Sequence, residues 1–562
     1  MPSEVAASLD RIEGRANWGL AIGTAVHACR SLWSGAHASS KAPRADKLAH
    51  VMETRARRRR FPGLLAAAVA LVMGAAVSAA PAVARPGSAG LGVSFAGCIT
   101  ASASVAAKGS CDLAPPPSNL DQAMNFPSAM ALAPDASSLY ATGSFTSSVV
   151  HYQRKAASGA LSFSDCLTGN FGGPCSQIAT VHTTTDSGLD LVDAVAVSHD
   201  GRFVYTTSGA NGGDSTVMSF ARDPVTGSLS FRSCVTGSTE MNNANPGVCT
   251  MLPGAPSNPT MPSPALERPT GIAISPNDHF VYISLEFGIA TFQRDPTSGA
   301  LSFEGCLTSL AATSPPCVHA RTNVVDDPRT PLIAPDGRSL YLADQHGGNV
   351  ATFNLDPANG GISFHSCITE NSRLQPSCTL ARTARRHSYG GLDAPTGLAL
   401  SANGRSLYAT SMFGSLEVFK RNTSTGNLTA MACIAAARES PGCTVIPAAT
   451  RLGGGSGLNG ARGTVVSRNG RRLYVAAGAD SSLAVFKRHP ANGKLSYLGC
   501  MTANARFGPQ GNGACSKVLR TGSRRGYGSG LYKVSQLLLS PDGRWLYALD
   551  VGDDAISRLR VD

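Results

Sequence analysis

Seven polar residues in this sequence have the types and placing to do chemistry together: Asp193, Glu286, Arg329, Asp344, His346, Arg462 and Asp550. Two arginines above a narrow opening would hold a carboxylate or a phosphate through forked hydrogen bonds. An Asp, a Glu or His346 beside them would serve as a base that activates water or moves a proton. The competing reading is mutual neutralisation: the arginines pair with Asp193 and its neighbours and line a water-filled channel, and His346 is a hydrogen-bonded loop residue. The sequence has no G-x-S-x-G nucleophile elbow, no P-loop and no H-E-x-x-H pair. With no C-x-x-C, zinc is not expected, and no cofactor is expected either.

The residues take their places from a sentence written seven times. In its clearest form it runs Ala334-Pro-Asp-Gly-Arg-Ser-Leu-Tyr341, Val350-Ala-Thr-Phe353, a turn at Asp356–Gly360, then Ile362-Ser-Phe-His-Ser-Cys-Ile-Thr369. Its tyrosines are Tyr140, Tyr205, Tyr282, Tyr341, Tyr408, Tyr474 and Tyr547. Sixty glycines, 34 prolines and 15 % charged residues suit many short strands joined by tight turns. Each unit reads as four strands: a small-residue strand A, a Pro-Asp-Gly-type turn, strand B at Leu-Tyr, strand C, a second hairpin, and strand D ending in Cys. The second hairpin places Gly159, Gly227, Gly299, Gly360, Gly426 and Gly493 where a positive φ is expected.

The ends settle the architecture. The last unit stops after strand C at Ile556–Leu559, while Val93–Thr100 is a strand D with nothing before it. Seven complete sets require the N-terminal strand to close the last one, which removes both open edges. The expected fold is therefore all-β, a single seven-bladed β-propeller over 85–562. The D-to-A and B-to-C loops then share one face around the channel mouth. Asp193, Arg329 and Arg462 reach that mouth from strand A; Glu286, Asp344, His346 and Asp550 reach it from the B–C side. Four D-to-A loops carry a small motif, as in Ser187-Gly-Leu-Asp190 and Ser456-Gly-Leu-Asn459, whose leucine is expected to pack beneath the loop. Two loops of the same face are basic, with Arg382, Arg385, Arg386 and His387 in one and Arg520, Arg524 and Arg525 in the other. They could meet an acidic glycan or protein, or simply face water.

Fourteen of the fifteen cysteines fall into local pairs: Cys98–Cys111, Cys166–Cys175, Cys234–Cys249, Cys306–Cys317, Cys367–Cys378, Cys433–Cys443 and Cys500–Cys515. One disulfide per blade fits an exported protein. Upstream, Arg57–Arg60 precede an apolar run from Phe61 that ends in Ala82-Val-Ala84, the form of an export signal. Residues 52–84 are read as that signal and 1–51 as an upstream extension that is non-native or disordered. An uncleaved anchor at 61–84 is the alternative, and Sec and twin-arginine export are both open. Of the +12 formal charge, residues 1–84 hold eleven Lys/Arg against five Asp/Glu, leaving 37 against 31 beyond. So modest a balance on a large domain argues against nucleic-acid binding.

The Ser/Ala-Pro-Asp-Gly-Arg-x-Leu-Tyr and Phe-x-Arg-Asp-Pro-x-x-Gly-x-Leu-Ser-Phe runs resemble those of the lactonase-like β-propellers, the family of 6-phosphogluconolactonase and carboxymuconate cyclase. That resemblance covers about 92–562 and implies an exported bacterial member acting on a small lactone, or a relative without activity. Enzymatic members often open strand A with Pro-His-Ala. The matching positions here are Ser128, Asp193, Thr270, Arg329, Thr396, Arg462 and Ser535, none of them histidine. The expected function is an exported, monomeric propeller whose long-loop face binds a small anionic ligand, a glycan or a protein. A lactone hydrolase or cycloisomerase is the alternative.

Overall fold

The computed structural model describes residues 90–562 apart from 110, 115–122, 170–173, 179–186, 210–213, 239–247, 254–264, 310–316, 321–323, 371–374, 382–390, 439, 441, 509–511 and 518–526. The export signal and both sets of basic loop residues lie outside the described residues. Seven sheets form seven blades, and we letter the strands of each from the centre outward. Blade 4 shows the plan: A is Pro328–Ile333, B Ser339–Asp344, C Asn349–Leu355, D Ile362–Thr369 and E Thr379–Leu380. Blade 7 takes A, B and C from Val534–Leu539, Trp545–Asp550 and Ala555–Val561, and D from Val93–Thr100. That closing pair is antiparallel and runs from Val93 against Val561 to Thr100 against Ala555.

Each blade has five strands where the sequence suggested four. The chain beyond the first cysteine of a pair turns back and lays two to seven residues parallel to strand D. In blades 2 and 3 the two cysteines are themselves register partners, Cys234 with Cys249 and Cys306 with Cys317. All seven expected disulfides form, with Cα–Cα distances of 4.5–4.8 Å. A two-residue parallel strand makes too few hydrogen bonds to hold itself, so the covalent bridge is what keeps E against D.

The repeated motif builds the contacts between blades as well as the turns. Strand B is buried along its whole length in most blades, and its tyrosines reach across to the next blade. The Tyr341 hydroxyl donates to the Gly426 carbonyl of blade 5 at 2.7 Å and accepts from Arg421 Nε at 2.6 Å. Arg421 Nη2 returns to Asp336 of the Pro-Asp-Gly turn at 2.8 Å. The same Tyr–Gly–Arg set joins blades 1 and 2 (Tyr140, Gly227, Arg222), 2 and 3 (Tyr205, Gly299, Arg294), 5 and 6 (Tyr408, Gly493, Arg488), and 7 and 1 (Tyr547, Gly159, Arg154). The six hairpin glycines have φ between 63° and 79°, as the sequence suggested. A side chain there would strike the neighbouring blade; at Gly299 it would meet the Phe203 ring. Two interfaces lack the arginine. Leu355 stands in its place against Tyr282, and Val561 against Tyr474. At the second, the seam that closes the ring, the Tyr474 hydroxyl is buried without a partner.

Candidate functional site

The seven strands A form the inner ring, and their side chains at the second position explain why histidine is missing there. Ser128, Thr270 and Thr396 give their hydroxyls to the strand A carbonyls of the next blade, on Val192, Pro328 and Ala461, at 2.7–2.8 Å. These positions tie blade to blade. The charged substitutes, Asp193, Arg329 and Arg462, stand on blades 2, 4 and 6.

A residue at the entry to strand A has left-handed backbone in every blade, Phe126, Leu191, Asp327, Ala394, Gly460 and Lys533 immediately before it and Arg268 three residues ahead of the shorter strand of blade 3, with φ between 45° and 74°. Six of the seven are not glycine, so the fold imposes a strained turn there and aims the adjoining side chains at the mouth. In blade 4 this turn is Asp326-Asp327-Pro328-Arg329. Asp344 accepts the Asp326 and Gly347 N–H groups at 3.1 and 3.0 Å and the Asn349 amide at 2.6 Å. The N–H groups of Gln345 and His346 reach the Asp327 and Asp326 carbonyls. The B–C turn is thereby fastened to the start of strand A, with His346 Nδ1 3.6 Å from Asp326 and its Nε2 3.9 Å from Asp327. Asp327 also binds Arg329 Nη2 at 3.0 Å and so lies between the arginine and the histidine.

Of the seven candidate residues, Arg329 and His346 meet through Asp327, Arg462 lies near enough to Arg329 to be affected by its charge, and Glu286 lies at the edge of the Asp327 turn. The Glu286 carbonyl accepts the Asp327 N–H at 2.7 Å, while its carboxylate is held by Arg268 at 2.8 Å. Asp193 belongs to the same ring from blade 2. Asp344 and Asp550 do not point into the mouth. Both are fully buried beneath their B–C turns, where burial pushes each carboxyl well above the usual range. Asp344 is a positioning residue for the His346 turn. Asp550 accepts the Gly552 and Asp553 N–H groups at 3.1 Å. Sequence reading passed over Asp326 and Asp327; the doubled acid just before Pro328-Arg329 was the available signal.

Arg462 is the exceptional group. Its side chain is exposed, no hydrogen bond or ion pair reaches it among the described residues, and crowding by protein, then the charge of Arg329, lower its pKa. A guanidinium remains ionised under such a shift, so among the described residues this cation has no counter-charge. Arg329 Nε is buried without an acceptor.

The Ser-Gly-Leu motifs have a structural task. Leu189, Leu392, Leu458 and Leu531 are wholly buried. In three blades a B–C carboxylate accepts the loop's N–H groups: Asp214 from Gly188, Asp480 from Gly457, and Asp553 from Ser529 and Gly530. Blade 5 differs. Glu417 is buried on its strand C, where the other blades carry Val150, Met218, Ala290, Ala351, Ala484 and Ser557. Glu370, at the end of strand D of blade 4, faces it across Gly391, and a Cβ on that glycine would collide with Glu417 Oε2 and press on Glu370 Oε1. Both Glu370 oxygens are buried without a full hydrogen bond. Desolvation raises its pKa to about 7, against the pull of the Leu392 and Gly391 N–H groups. Among the described residues, no group of three or more His, Cys, Asp or Glu could hold a metal ion.

Residues 456–562 match the family model described as "Lactonase, 7-bladed beta-propeller". That match covers the C-terminal stretch of the chain, whose fold is a seven-bladed β-propeller closed by its N-terminal strand. The chain is similar to a putative 6-phosphogluconolactonase of Bacteroides uniformis, 18 % identical over 66 % of this chain and 83 % of that one, TM-score 0.43. It is also similar to the periplasmic gluconolactonase PpgL of Pseudomonas aeruginosa, 16 % identical over 66 % and 85 %, TM-score 0.44. A third similar structure is hydrazine synthase of Kuenenia stuttgartiensis, 13 % identical over 78 % and 97 %, TM-score 0.43. No match is found among curated proteins.

Proposed function

We propose that this protein is an exported propeller that binds a small anion at its channel mouth, with Arg462 and Arg329 as the holding groups. One observation carries the reading: Arg462 is an exposed, ionised arginine with no partner among the described residues, within electrostatic reach of a second arginine that has a spare buried donor. Two like charges that sense each other repel, and an anion between them relieves the repulsion. Export is supported by the seven disulfides, which persist in oxidising compartments. The test is binding of small carboxylates to the exported protein and to Arg462→Ala and Arg329→Ala. Binding that survives both substitutions discards the reading.

A second reading is favoured by the contact of His346 with Asp326 and Asp327 next to Arg329. In it, water attacks a lactone carbonyl while His346 takes the proton, and Arg329 and Arg462 face the developing oxyanion. The ring C–O bond then breaks and His346 returns the proton to the departing alkoxide. Turnover of a lactone panel that disappears in His346→Gln supports hydrolysis. No turnover of any lactone, with carboxylate binding intact, leaves binding alone.

A further inference from the structure

We propose that Asn403 and Arg488 hold a compact monovalent anion, of chloride's size, at the joint between blades 5 and 6 on the face opposite the mouth. This site stands apart from the mouth and does not need the reading given above. At each joint the A–B turn of one blade meets the residue that ends strand C of the next. In blades 1, 2 and 4 the turn offers an aspartate: Oδ2 of Asp135, Asp200 and Asp336 accepts Nη2 of Arg222, Arg294 and Arg421 at 2.6–2.8 Å. Their Oδ1 accepts the backbone N–H two residues on, from Ser137, Arg202 and Arg338. Asp542 of blade 7 meets Arg154 more loosely, at 3.9 Å.

Blades 3, 5 and 6 carry asparagine there: Asn277, Asn403 and Asn469. In blades 3 and 6 the loss of charge is matched across the joint, where Leu355 and Val561 replace the arginine. Asn277 Nδ2 also finds an acceptor, the Pro357 carbonyl at 3.0 Å. Blade 5 is the mismatch, because its asparagine faces Arg488, which is 3 % exposed. Arg488 donates to the Tyr408 hydroxyl, to the Gly470 carbonyl and from Nη2 to Ser406 Oγ at 3.1 Å, and among the described residues it has no carboxylate partner. The hairpins of this face all lie within the described residues. Asn403 cannot help by turning over. Its Oδ1 accepts the Ser401 hydroxyl at 2.7 Å and the Arg405 N–H at 3.2 Å, and a backbone N–H only donates. Nδ2 therefore takes the place that Oδ2 holds in the sibling turns, and a donor is set against a donor. An anion between them accepts from both and returns the missing negative charge. The sibling aspartates put one oxygen there with side chains 29–45 % exposed, so the position admits a small ion from solvent.

The experiment is anomalous diffraction from crystals of the wild type and Asn403→Asp soaked in sodium bromide, joined to thermal unfolding in sodium chloride and in sodium gluconate at equal ionic strength. Bromide should lie within hydrogen-bond reach of Arg488 Nη2 and Asn403 Nδ2 in the wild type. It should be gone in Asn403→Asp, which folds because aspartate fills this position in four other blades. In gluconate Asn403→Asp should melt above the wild type, and about 0.5 M chloride should narrow that gap by about 1 °C. Asn469→Asp, opposite Val561, should leave the wild-type chloride effect in place. No bromide at the joint in the wild type, bromide still there in Asn403→Asp, or the same chloride effect on melting in both proteins overturns the proposal, and none of these touches the reading of the mouth.

Discussion

Replacing Glu370 by glutamine should stabilise this protein at pH 8 and do little at pH 4. In the folded chain the carboxyl titrates at about 7, against 4.5 for an ordinary glutamate, because its oxygens are out of water between blades 4 and 5. A folded-state pKa above the unfolded one means that the folded protein holds the proton longer. Stability from this group is fully present below about 4.5, falls as pH rises towards 7, and stays lost above it. A shift of about 2.5 units corresponds to roughly 3 kcal/mol. Glutamine, of the same shape and always neutral, avoids that loss. Spread over a domain of this size, the gain amounts to a melting-temperature rise of about 3 °C. The assay is thermal unfolding of both proteins at pH 4, 6 and 8, read as the difference between them so that other titrating groups cancel. A difference that is the same at pH 4 and pH 8 would refute the argument that burial of the charge, and not loss of a contact, sets the effect.

Arg462→Leu should abolish carboxylate binding while leaving stability in denaturant unfolding unchanged or slightly raised, since the side chain is exposed. The tyrosine clamps should grade by interface. Tyr341→Phe strands Arg421 and should cost about 1–3 kcal/mol, whereas Tyr474→Phe removes a hydroxyl that already lacks a partner and should be neutral or stabilising. Among the disulfides, opening Cys166–Cys175 should release its two-residue strand E to rapid hydrogen exchange. Opening Cys433–Cys443 should leave the seven-residue strand Thr444–Thr450 largely protected.

What could be read from the residues follows a physical line. Periodic features are written many times, so the seven tyrosines, the hairpin glycines and the paired cysteines gave blade number, closure and cross-links together. The two arginines were found because a repeat makes each departure visible. Asp344 and Asp550 were placed in the mouth because register says which loop a residue belongs to and not which way it turns; a carboxylate at a tight turn finds the turn's own N–H groups first. In six blades the fifth strand escaped because two or three residues carry no alternation to detect. Asp327 escaped because its part depends on a bend that six non-glycine residues share only through the fold. Glu417 and Glu370 are 47 positions apart in the chain, and nothing in either neighbourhood announces the other.

The seam of blade 7 has a consequence for how the chain reaches this form. Val93 waits for Val561, so the ring cannot shut until the chain has been made and delivered at least as far as Val561. Until then strand C of blade 7 lacks its outer neighbour and Val93–Thr100 is an unpaired edge, the kind of surface that recruits other chains. The last joint to form is one of the two without an arginine and has an idle tyrosine hydroxyl at Tyr474. The ring therefore has a clasp, one interface set apart from the other six, at which assembly finishes and at which opening would begin.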